Sequence, residues 1–108
     1  MQLFQLADLI GEQENRKTRY LEFIRESSLS MGLYNLPQGS SDKQTPHIED
    51  EVYYVLSGLA SIIVGDEKRV VTPGSIIFVA AHVPHFFCEI EEDITLLVFF
   101  APSESSGQ

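Results

Sequence analysis

The sequence contains no tryptophan and one cysteine, Cys88. A single thiol excludes an intramolecular disulfide, so a chain this short must fold on its core or on an oligomer interface. The first residues, Met1-Gln2-Leu3-Phe4-Gln5-Leu6-Ala7-Asp8, carry neither a basic cluster nor a long apolar stretch. With no leader of the secretory type and almost no cysteine, the expected location is cytoplasmic. Basic residues are also few: 7 Lys and Arg stand against 16 Asp and Glu, for a net charge of −9. That balance argues against nucleic acid or an anionic membrane surface as a partner, since both are bound through positive charge. No apolar run approaches the ~20 residues of a membrane helix. The longest, residues 94–101, has the length of a buried strand.

What is present reads as one domain of mostly β structure. Residues 4–14 place Leu6, Leu9 and Ile10 on one face, which predicts a short N-terminal helix. Strands are predicted over 20–24, 29–36, 59–64, 69–71, 75–79, 86–90 and 94–101, separated by turn residues such as Gly65-Asp66 and Pro73-Gly74. The expected organisation is a helix and lead-in over 1–18, a barrel over 19–101 and a flexible tail over 102–108. Many short strands with frequent turns mean an all-β sandwich or barrel. The absent tryptophan and cysteine pair weigh against the immunoglobulin arrangement.

Residues 44–58 admit two local readings. Thr45 as a cap, Pro46 behind it and Gly58 as a stop suit a helix. The β-branched and aromatic run Val52-Tyr53-Tyr54-Val55 suits a turn over 48–50 followed by a strand. Chemistry bears on the choice. His47 and Glu51 would lie ~13 Å apart in one extended strand, too far to share an ion bound at ~2 Å from each donor. A shared metal therefore requires either the helix or a bend between them. A third donor is available where the apolar stretch 75–79 runs into a loop bearing His82 and His85. Two histidines and one carboxylate, with positions left open, form the facial triad of non-haem iron sites.

The same residues resemble the cupin superfamily. Its first motif is Gly, five residues, His-x-His, three or four residues, Glu, six residues, Gly. This chain has Gly39, five residues, Thr45-Pro46-His47, three residues, Glu51, six residues, Gly58, so only the first histidine is replaced. At the second motif, Gly74, Ala80, His82, His85 and Glu89 occupy the fixed positions, and Gly74 and His85 keep their type. The resemblance implies a double-stranded β-helix, or jelly-roll barrel, preceded by the short helix. It implies metal ligands at His47, Glu51 and His85 for a divalent transition metal (Fe, Mn, Ni or Zn). Thr45 is a poor replacement for imidazole, so Gln44, Glu49 or water would complete the shell. An ionised Glu51 inside a barrel also needs a cation or donors, because an unpaired buried charge is costly.

Other residues have a functional and a plain reading side by side. Tyr53 shares the parity of Glu51 and would face the pocket or pack in the core; Tyr54 would face outward. Phe87 shares the parity of His85 and would form an apolar pocket wall. His82 is a loop histidine near the mouth or a proton-transfer group. Glu49 and Asp50 are turn or rim acids, with a general-base role for Glu49 as the minority reading. Cys88 is expected as a small buried hydrophobe, and Met31 and Leu33 line either pocket or core. The expected function is dioxygenase-like oxidation of a small organic substrate at a mononuclear metal, in a homodimer. The alternatives are a non-catalytic module binding a sugar or acid, and a metal-dependent isomerase or lyase.

Overall fold

The computed structural model describes residues 1–105. One helix, α1 (Leu6–Arg16), precedes six strands: β1 (Tyr20–Glu26), β2 (Leu29–Leu36), β3 (Asp50–Val64), β4 (Glu67–Val71), β5 (Ile76–Val79) and β6 (His85–Ala101). All pairings are antiparallel, in the order β1-β2-β6-β3-β4, with β5 also paired to β3.

Two long strands organise the barrel. β3 and β6 run antiparallel from Asp50↔Ala101 at one end to Val64↔His85 at the other. Register shifts at Val55/Ser57, Ser57/Leu59 and Leu59/Ser61 let this ribbon bend. The first part of β3 lies between β5 and β6, and its last part lies between β4 and β6. The composition of the sequence predicts a division of each long strand in two, at Gly58 and around 91–93. Both breaks are instead interior to continuous strands. Gly58 sits at the bend with φ +103°. A Cβ there would run into the Asp93 carbonyl and the Ile94 backbone, so the close crossing requires glycine.

The helical reading of 44–58 is excluded, because β3 begins at Asp50. Burial alternates as the strand period demands: Glu51, Tyr53 and Val55 point inward, and Tyr54 points out. The interior is filled by Leu36, Tyr53, Ile62, Phe87, Leu96 and Phe100, among others. A second cluster joins Leu9 of α1 to Leu21 and Leu33 on the outside of the β1–β2 hairpin. Leu33 thus belongs to the helix-packing layer and not to the pocket. Cys88 is half-buried, not the fully buried hydrophobe expected. No helix among the described residues is long and apolar enough to cross a membrane.

The expected loose tail does not begin at Pro102. Glu104 is only 2% exposed, its backbone N–H donates to Ser30 Oγ at 2.8 Å, and its carbonyl accepts from Arg25. Positions 106–108 of that expectation lie outside the described residues.

Candidate metal centre

Three elements bring the predicted donors together. Glu51 is the second residue of β3, paired with both Val79 and Phe100, which fixes its side chain toward the interior. His85 opens β6 at the far end of the same ribbon, and the bend returns it to Glu51. His47 lies in the irregular segment before β3, and a bend at Ile48-Glu49 supplies the change of direction that the spacing requires. That segment is pinned from the 80–84 loop: the His82 N–H donates to the His47 carbonyl at 2.7 Å, and the Ala81 N–H donates to Asp50 Oδ1 at 2.9 Å.

His47, Glu51 and His85 are all buried, at 4%, 1% and 4% exposure, and their ligating atoms lie within 4.8 Å of one another. His85 Nε2 is 2.9 Å from Glu51 Oε1, and His47 Nε2 is 3.9 Å from the same oxygen. His85 Nδ1 is 2.9 Å from the Val83 carbonyl. A carbonyl only accepts, so Nδ1 carries the proton and the neutral ring presents a lone pair at Nε2. That lone pair faces a carboxylate oxygen, an arrangement that repels unless a positive species stands between them. Both Glu51 oxygens and His85 Nε2 are buried without an aligned hydrogen bond. A buried carboxylate left this way is costly, and a divalent cation satisfies all three atoms at once. The residues present therefore fit a metal.

Without an ion, a proton takes the same place. Burial pulls the His85 imidazole down, but the Glu51 carboxylate and the Val83 carbonyl outweigh it, and the pKa stands above the ordinary imidazole value.

A second layer holds these groups in place. Asp42 is buried and accepts from the Tyr34 hydroxyl, from Gln44 Nε2 at 2.6 Å and from the Phe87 N–H at 2.9 Å. Because the Gln44 amide nitrogen is committed to Asp42, its oxygen turns inward, 3.3 Å from His47 Nε2 and 3.2 Å from the Tyr53 hydroxyl that donates to it. Tyr53 is fully buried, edge-on to Phe87 at 4.9 Å. Its phenol is pushed well above its usual pKa by burial and by the Glu51 charge, so it stays a proton donor. Phe100 packs edge-on against the His47 ring at 4.9 Å.

The remaining expectations separate. Gln44, Tyr53 and Phe87 border the cluster. Thr45, at the missing histidine's position, is exposed. His82 is also exposed, with φ +69°, in the loop before β6, and it touches the site through its backbone N–H. Glu49 is buried rather than on the rim and accepts from Ser105 Oγ at 2.8 Å. With Glu104 it forms a second group around His47. Sequence reasoning missed Asp42, Glu104 and Ser105. Asp42 lies in a stretch with the composition of a loop, and the other two in a serine-rich ending, so no local pattern marks them.

Comparisons with known proteins agree with this fold. Residues 32–100 match the model of the cupin domain family. An uncharacterized protein of Streptomyces coelicolor is 47% identical over 97% of this chain and its own full length. The crystal structure of TT1209 from Thermus thermophilus superposes with a TM-score of 0.79 at 28% identity, covering 95% of this chain and 99% of that one. The DMSP lyase DddQ from Ruegeria pomeroyi shares the fold at a TM-score of 0.69 and 21% identity, over 81% of this chain and 49% of its own. An RmlC-like protein of Methanocaldococcus jannaschii described as a double-stranded β-helix gives a TM-score of 0.70 at 15% identity, over 81% of this chain and 84% of its own. A β-ribbon folded on itself, carrying both cupin motifs with their ligand positions converged inside it, identifies this chain as a member of the cupin family.

Proposed function

We propose that the chain is a mononuclear metal cupin that oxidises a small organic molecule with dioxygen. The observation that carries this reading is the face-to-face contact of His85 Nε2 with Glu51 Oε1 at 2.9 Å, both buried and neither in an aligned hydrogen bond. Two imidazoles and one carboxylate are the donor set of non-haem iron oxygenases, and they leave coordination positions for other molecules. A metal held by His47, Glu51 and His85 supplies a Lewis-acid and redox centre.

The chain's own residues do the rest. Asp42 fixes the Gln44 amide so that its oxygen stands beside His47, in the part of the shell where the family's first histidine is replaced. Gln44 Oε1 is thus the candidate fourth donor. Tyr53 holds a proton at its hydroxyl and donates it to Gln44 Oε1, which steadies that oxygen beside His47. Phe87 and Phe100 supply apolar walls that keep water from the carboxylate.

Oxygen uptake by the iron-loaded protein, measured against a panel of small thiols, diketones, phenols and hydroxy acids, tests the reading. Substrate-dependent uptake that vanishes in Glu51→Gln is expected. Turnover without oxygen uptake would place the chain among metal-dependent isomerases or lyases. Binding of a sugar or acid without turnover would make it a binding module.

A further inference from the structure

The two histidines of the centre are held differently. His85 has its outer nitrogen satisfied by the Val83 carbonyl at 2.9 Å. His47 Nδ1 is buried without an aligned hydrogen bond, and the nearest charged acceptor is Glu104 Oε1, 3.8 Å away. A histidine that binds metal through Nε2 must carry its proton on Nδ1, and that N–H needs an acceptor; an oriented carboxylate or carbonyl in this role steadies the ring and raises its basicity. The approach needed is under ~1 Å, against a normal N–H···O length of about 2.9 Å.

We infer that Glu104 is the positioning residue for His47, and that residues 103–105 form a strap delivering its carboxylate to the outer nitrogen of that ligand. This rests on the metal-binding reading above. The strap is fastened independently of the carboxylate. The Glu104 N–H donates to Ser30 Oγ at 2.8 Å, the Glu104 carbonyl accepts from Arg25, and the Ser103 N–H meets the Ser27 carbonyl at 3.5 Å. On its far side, Ser105 Oγ donates to Glu49 Oε2 at 2.8 Å. Glu49 and Glu104 are each 2% exposed, so the strap brings a second buried carboxylate to a histidine that already has one beside it. An N–H polarised by bound metal is a donor that Glu104 Oε1 is placed to accept from. By reciprocity, metal on the inner nitrogen strengthens docking of the strap on the outer one.

The test is a cobalt(II) titration of the wild-type chain, Glu104→Ala and Glu104→Gln, followed by visible absorption, with hydrogen exchange of the 103–105 amides in the presence and absence of cobalt. Loss of an outer hydrogen-bond partner of this kind weakens metal binding by about 10- to 100-fold. Glu104→Ala should show a loss of that order with an unchanged cobalt spectrum. Glu104→Gln, a neutral acceptor, should recover part of it. Cobalt should slow exchange of the strap amides in the wild type and not in Glu104→Ala. Equal affinity in all three chains overturns the inference and leaves the metal reading standing. A changed spectrum in Glu104→Ala also overturns it, because Glu104 would then be a ligand. No cobalt binding by the wild type overturns both. If the metal-free alanine variant melts well below wild type, Ser105→Ala and Glu104→Gln decide: both should lower affinity, and wild-type affinity in both counts against the strap.

Discussion

His85 Nε2 and Glu51 Oε1 compete for one positive species, and the consequences are measurable in a single side chain. The folded-state pKa of His85 is raised, so in the metal-free chain this pair contributes stability below the unfolded imidazole pKa and loses it as pH rises through the folded value. Metal requires the neutral ring, so stabilisation by metal grows over the same interval. The gap in melting temperature between metal-loaded and metal-free protein should widen as pH rises from about 6 to 8, across the imidazole range. A gap that narrows or stays constant would show that His85 is not a ligand. At a pH high enough to leave His85 neutral, Glu51→Leu should raise the melting temperature of the metal-free chain while abolishing metal binding, because the carboxylate it removes is then buried without a positive partner. His82→Ala, by contrast, should leave metal content unchanged, since only the His82 backbone touches the site. His47, Glu51 and His85 were legible in the sequence because motif spacing encodes them. Asp42 and Glu104 were not: Asp42 lies in a stretch with the composition of a loop and works through Gln44, Tyr34 and Phe87 only once the chain is folded, and Glu104 comes from the far end of the chain to stand 3.8 Å from His47 Nδ1.

At the scale of elements, the alternation Glu51, Tyr53, Val55 was enough to place the inward face of β3, since a strand's period is two. The length of β3 and β6 was hidden. Gly58 has the chemistry of a turn, and Glu91-Glu92-Asp93 has the composition of a loop; both lie in strands that leave the core at the bend. Gly58→Ala tests this account. It adds a Cβ where the Asp93 carbonyl stands and forces a positive φ on a residue that disfavours it. The expected cost is about 2 kcal/mol or more, from strain at such a φ together with the backbone clash, read by chemical denaturation. A cost below about 0.5 kcal/mol, the level of an ordinary surface change, would mean that the ribbon is not bent as described.

Over the whole molecule, a net charge of −9 opposes close approach of two copies except across an uncharged face. The apolar surface on β4 and β5, where Val70, Ile76 and Phe78 are 70%, 72% and 63% exposed, carries only the mutually paired Glu67 and Arg69 beside them. We propose this face as the contact of the homodimer expected from the sequence. Sedimentation should give a dimer for the wild type and a monomer for Phe78→Glu; a wild-type monomer would reject it. The central claim, however, concerns the centre of the barrel. Elemental analysis of protein purified without a histidine tag, wild type beside His85→Ala, tests it most directly. The prediction is one transition-metal ion per wild-type chain and almost none in the variant. A metal-free wild type that cannot be loaded, or equal metal in both chains, would contradict it.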